Sequence, residues 1–253
     1  MESGCKERMT IQVSLVVAAV DDFNNKPISR SNLRVWIEGA GPSISKEEGY
    51  YVFVNLREPQ VEVCLEGPMY HAQRIFLDNE RLLGLQGKVL KVRMQPNRAY
   101  PIPKNTTCVQ GYAQPGSCIM AYNKDYGNPF KLLYAYQKNS SEIHIFHAED
   151  FDIEGKTFVI QTKDGSQKDV FHVIEQIDTE KRAYLLDKPM DNEYKKIGTV
   201  IYPVYVFEAN QNGEFYLPIT GIAGENASFV FWQEAGTSFE TELTAGRVNS
   251  IRV

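Results

Sequence analysis

The chain has 253 residues, 43% hydrophobic and 23% charged, with 32 acidic against 27 basic side chains and a formal charge of −5. The acidic balance argues against nucleic acid, which needs a concentrated basic face, and no apolar run approaches the roughly 20 residues of a membrane span. A chain of this length buries a core unaided and holds one large domain or two smaller ones.

Residues 1–10 mix acids with bases, and the apolar stretch over residues 11–20 runs into Val20-Asp21-Asp22. A signal peptide needs a basic start, an apolar region and a small-residue cleavage site. Residues 1–10 are therefore read as an N-terminal arm, residues 11–20 as a first strand, and synthesis as cytoplasmic. Cys5, Cys64, Cys108 and Cys118 have neither CxxC nor zinc spacing. Reduced thiols are expected, and Cys108 and Cys118 are placed to face each other across a hairpin, where a disulfide is open to them.

Strand patterns follow in order. After residues 13–20 comes the turn cluster Asp-Asp-Phe-Asn-Asn-Lys-Pro, and Asn32 to Gly39 then alternates polar and apolar residues. This is the period-2 signature of a half-buried strand. Further strands are expected at residues 49–53, 60–66, 74–77 and 88–94, and no stretch before Pro96 carries a helical period. Short strands at this spacing, separated by Gly, Pro, Asn and Asp turns, predict a β-sandwich.

Val20-Asp21-Asp22, Lys26-Pro27-Ile28, Leu33-Arg34-Val35 and Gly49-Tyr50-Tyr51-Val52-Phe53-Val54-Asn55-Leu56 together resemble the carboxypeptidase-regulatory-like, or transthyretin-like, sandwich family. The resemblance covers residues 11–95. It implies a strand ending in Asp, a Lys-Pro turn and a Gly-aromatic hairpin. Such domains occur as accessory modules in many proteins, so the resemblance implies a fold and no particular activity.

Residues 96–105 are a Pro- and Asn-rich linker. Beyond it the pattern recurs. Gly111 to Ser117 opens a strand-turn-strand similar to bacterial immunoglobulin-like repeats. Gly213-Glu214-Phe215-Tyr216 echoes Gly49-Tyr50-Tyr51-Val52, and Gly246 to Val253 echoes Gly87 to Val92. The expected fold is all-β: two β-sandwich domains (transthyretin-like/Ig-like), residues 11–95 and residues 106–127 with 207–253, the second carrying an inserted small β-barrel at 128–206. Strands are expected within the insert at residues 151–160, 169–177, 182–186 and 199–207. The insert's Glu154-Gly155-Lys156-Thr157 and Asp187-Lys188-Pro189-Met190 resemble small barrels of phage-tail and contractile-injection proteins.

His144 and His147 stand three apart in Glu142 to Asp150. On a strand they face opposite sides, whereas on a helical turn they would chelate a metal with Glu149 or Asp150. The flanking Ile143, Ile145 and Phe146 favour the extended form, so no metal and no cofactor is expected. Hydroxyisourate hydrolases share the transthyretin-like fold but depend on a C-terminal Tyr-Arg-Gly-Ser, where this chain ends Asn249-Ser250-Ile251-Arg252-Val253. Intradiol dioxygenases set two Tyr and two His on iron, a spacing not found here. Nucleophile-elbow and phosphate-loop signatures are absent.

Most of the 14 Tyr and 13 Phe fall in alternating strands and are expected to fill cores. Tyr122, Tyr126, Phe130, Tyr134 and Tyr136 do not alternate cleanly and are the candidate contact patch for protein or glycan. The sequence therefore predicts a non-catalytic structural or interaction protein of a multiprotein assembly, of phage-tail-like or contractile-injection type. A carbohydrate-binding module and a hydrolase or metalloenzyme on a transthyretin-like fold are the alternatives.

Overall fold

The structure, a computed structural model, describes residues 12–46, 48–85, 89–127, 130–148, 151–233 and 238–253. The N-terminal arm, Cys5, most of the first Gly turn (residues 86–88) and the Glu149-Asp150 pair lie outside the described residues. The chain divides into two compact units, Met1–Met94 and Gln95–Val253. Among the described residues it is all-β, apart from one six-residue helix.

The first unit contains β1 (Val13–Asp21), β2 (Arg34–Ile37), β3 (Ile44–Ser45), β4 (Tyr50–Val54), β5 (Val61–Gly67), β6 (Tyr70–Leu77), helix α1 (Asn79–Gly84) and β7 (Val89–Met94). One sheet runs β3-β4-β1-β7 and the other β2-β5-β6. Alternation on β4 turns Tyr51 and Phe53 inward, where they join Val17, Val63 and Leu65 in a buried core. Asp21, itself buried, builds the turn after β1. Its carboxylate accepts from the Phe23 and Asn24 amides at 2.8 and 3.2 Å and from the Tyr70 hydroxyl at 2.9 Å. Pro27 returns the chain to Val20 through an antiparallel bridge. The Lys-Pro turn read from sequence is thus held by a buried carboxylate whose acceptor sites are filled.

Helix α1 leaves no visible period in the sequence because it is barely one and a half turns long. Its one signal is Asp78, the N-cap, whose Oδ1 accepts from the Arg81 amide at 2.9 Å.

The second unit contains β8 (Thr107–Tyr112), β9 (Cys118–Asn123), β10 (Lys131–Leu132), β11 (Glu142–Phe146), β12 (Thr157–Thr162), β13 (Lys168–Asp178), β14 (Ala183–Leu186), β15 (Thr199–Glu208), β16 (Glu214–Ile219), β17 (Asn226–Gln233), β18 (Phe239–Thr244) and β19 (Val248–Arg252). A three-stranded sheet runs β16-β8-β19, and a nine-stranded sheet runs β10-β11-β14-β13-β12-β15-β9-β17-β18.

The two units share one topology. In the first, β1 is flanked by antiparallel β4 and parallel β7; in the second, β8 is flanked by antiparallel β16 and parallel β19. The opposing sheets correspond as β2-β5-β6 and β9-β17-β18. The echo between Gly49 and Gly213 is also geometric. Both have positive φ, 76° and 79°, and both offer their carbonyl to the partner strand, to Ala19 N–H at 3.0 Å and Ala113 N–H at 2.8 Å. Between the second and third strands of this plan the first unit places only β3, and the second places β10 to β15.

Three expectations need correction. The insert is not a closed, separate barrel. Its strands wrap around one core that includes Phe130, Ile143, Phe158, Phe171 and Tyr194, but no ladder joins β10 to β15. With only two residues, β10 cannot close the seam, and β15 instead carries the sheet on into β9. Second, Phe151 to Lys156 is not strand. Gly155 has φ 70° and the extended run starts at Thr157. Third, Cys108 and Cys118 form no disulfide with each other, because β8 and β9 belong to opposite sheets rather than to one hairpin. The Cys108 thiol is instead 3.1 Å from the Tyr216 hydroxyl.

Gly111 lies where β8 and β19 approach too closely for a side chain. A Cβ there would meet the Ile251 carbonyl oxygen at 1.9 Å and the Phe215 ring at 2.9 Å. Gly165, with φ 73°, has open space around it. Gly111→Ala is therefore expected to destabilise by more than about 3 kcal/mol, and Gly165→Ala by only about 1–2 kcal/mol from the left-handed backbone. Urea unfolding of both variants measures this, and equal losses would contradict the close approach.

Candidate functional site

Strand β11 sets the insert's outer face. Ile143 and Ile145 point into the core, so Glu142, His144 and Phe146 point out. Pairing brings Lys131 of β10 beside Phe146, and Arg182 holds its guanidinium 4.8 Å over the Phe146 ring. Tyr134 is 60% exposed and stands edge-on to His144 at 5.0 Å, while Phe146 is 46% exposed. His144 Nε2 lies 2.9 Å from Glu142 Oε1, and its Nδ1 lies 3.1 Å from the Lys181 carbonyl oxygen. The result is an exposed face of two aromatic rings, bracketed by Arg182, Lys131 and the His144–Glu142 pair.

His147, just past the strand end, turns the other way. Its Nε2 meets the Tyr184 hydroxyl at 2.7 Å, and that hydroxyl also accepts from Gln176 Nε2 at 3.1 Å. Burial pushes the Tyr184 phenol above its ordinary value. The two histidines thus separate as a strand requires. Among the described residues no group of three or more His, Cys, Asp or Glu is arranged to hold a metal ion.

The five candidate aromatics do not share one patch. Phe130 is buried in the insert core with Tyr126 stacked against it at 6.3 Å. Tyr136 is buried as well; its hydroxyl donates to the Ser140 carbonyl and accepts from the Met190 amide at 2.9 Å. Its backbone pairs with Tyr194 across the end of the insert. Tyr122 belongs to the opposite side of the shared sheet, and only Tyr134 stands out in solvent.

Tyr122 lies instead in a buried apolar cluster on the face of β12, β15, β9 and β17 turned away from the other two cores, with Met120, Val159 and Trp232. Its ring stacks on Tyr202 at 5.1 Å and meets the edge of Trp232 at 5.7 Å and 68°. Lys168 closes this corner, with Nζ 3.9 Å from the Trp232 centroid and 5.5 Å from that of Tyr122. The signal missed in the sequence is strand parity. Tyr122 and Trp232 sit at positions of β9 and β17 that alternate with core residues, but parity alone does not bring Lys168 to them.

No protein-family model matches the chain, and no curated protein matches its sequence. Among solved structures it is similar to shaft pilin SpaA from Lactobacillus rhamnosus GG, at 11% identity over 96% of this chain and 97% of that one, with a TM-score of 0.23. A singly and a doubly substituted form of that pilin give 0.23 and 0.24 at the same identity and coverage. At those values the likeness carries neither fold nor function across.

The β12–β13 hairpin that delivers Lys168 turns on Asp164. The Thr162 and Ser166 hydroxyls and the Ser166 amide bond its carboxylate and hold it down at about 2. A folded value below the ordinary one favours the native hairpin above the usual carboxylate range, and that support is lost as pH falls through about 2. NMR titration should place Asp164 near 2 in the native chain, and Ser166→Ala should move it towards its ordinary value. An Asp164 titrating at its ordinary value in the native chain would contradict the turn geometry.

Proposed function

We propose that the chain is a non-catalytic structural component of a multiprotein assembly and meets a protein partner through the insert's outer face. The observation that carries the reading is that Phe146, on a strand whose alternate residues are locked into a core, and Tyr134, just past β10, stand exposed beside Arg182 and His144. Exposed aromatics next to arginine are the side chains that most often dominate protein contacts. The second sandwich supplies the framework from which the insert presents this surface. The sequence resemblance at residues 154–157 and 187–190 to phage-tail and contractile-injection proteins favours a particle of that type. A glycan is the second reading, favoured by the solvent-facing Tyr134 ring, which offers a stacking face to a sugar.

The test is the double variant Tyr134→Ala/Phe146→Ala, compared with the native chain for retention in the particle from which it purifies. Loss of at least about thirtyfold in affinity, with an unchanged melting temperature, is expected. Full retention would overturn the reading. Loss of binding on a sugar array with retention in the particle would transfer the face to glycan.

A further inference from the structure

The corner formed by Tyr122, Tyr202 and Trp232 contains its own evidence of ligand chemistry, because a cation already sits in it. Trp232 and Tyr122 make two walls 68° apart, and Tyr202 backs the Tyr122 wall. The Lys168 ammonium lies 3.9 Å over the indole, within the range where the negative face of a ring attracts positive charge. Tyr122 and Trp232 are only 4% and 8% exposed, whereas Lys168 is an exposed residue at the start of β13 whose side chain is turned back over them.

Lys168 makes no ion pair among the described residues. Other lysines do: Lys124 with Glu240 at 2.8 Å, and Lys181 with Asp178 at 3.2 Å. The rings are its partner among the described residues. Burial lowers the Lys168 amine from its ordinary value, because a primary ammonium loses hydration there. A methylated ammonium is far more weakly hydrated and loses less on entering the same corner. Among the described residues the resident cation is held by rings alone.

We propose that Tyr122, Tyr202 and Trp232 form a binding site for a methylated ammonium group, and that Lys168 occupies it in cis until such a ligand displaces it. The site lies on the face of the shared sheet turned away from the other two cores and does not depend on the partner face of the insert. Two sources would supply the chemistry: a choline group, or a trimethylated lysine on a peptide.

The experiment titrates full-length chain with choline, with a trimethyllysine peptide, and with 3,3-dimethylbutanol, the neutral analogue of choline. The indole N–H resonance of Trp232 is followed by NMR. Lys168→Ala should bind choline saturably and at least about tenfold more tightly than the native chain. The neutral analogue should give no saturable shift, and Lys168→Ala/Trp232→Leu should lose the binding. The tighter of choline and peptide names the source. A second reading uses the native chain alone. Its Lys168 ε-methylene protons, shielded by the rings, should move to their free position as choline saturates the site. Equal binding of choline and its neutral analogue would overturn the proposal by making the corner a plain apolar surface. Lys168 protons that stay shielded at high choline would overturn it by making the lysine a fixed cover.

Discussion

The second unit depends on one strand having two partners. β15 pairs with β12 through residues 199–204 and with β9 through residues 205–208. Its alternate residues then divide three environments. Ile201 enters the insert core, Tyr205 and Phe207 enter or pack on the sandwich core, and Tyr202, Val204 and Val206 face the common outer cluster. Pro203 has no amide hydrogen and stands two residues before the first β9 pair, Tyr205 with Ala121. It occupies the stretch where the edge towards β9 carries no ladder, the position in a sheet where proline is tolerated. A strand that serves two cores cannot leave one without exposing apolar surface of the other.

Duplication explains where the insert sits. Both units follow the same six-strand plan, and the plan's second and third strands are joined by a loop that crosses between sheets. In the first unit that loop makes only β3, and in the second it makes six strands. Loop closure grows only slowly in cost with length, so a surface connection is where such growth is least expensive. The positive-φ glycines Gly49 and Gly213, each bonded through its carbonyl to the strand beside it, mark the point where both copies resume the common plan.

The all-β class, the Asp21 turn and the Gly49 and Gly213 echo are legible in the sequence because each rests on local physics. A period of two, a proline that fixes φ and a glycine that permits positive φ all act within a few residues. Sheet membership is not legible. Cys108 and Cys118 are close in sequence, yet β8 and β9 belong to opposite sheets, and nothing in the intervening turn says so. The aromatic run from Tyr122 to Tyr136 fails as a patch for a related reason. Its residues straddle the junction between sandwich and insert, where the chain passes from one face to another. Sequence proximity is not surface proximity there, and the Lys168 corner, assembled from four distant strands, leaves no local trace.

The shared strand makes residues 95–253 one cooperative unit rather than a sandwich with an independent module. Native-state hydrogen exchange on the full chain tests it most directly, comparing amides of β12 in the insert with amides of β17 in the sandwich. Both sets are expected to open with the same free energy, and Phe158→Leu in the insert core to lower both by the same amount. Exchange of β12 at a lower free energy than β17, with only β12 responding to Phe158→Leu, would contradict it.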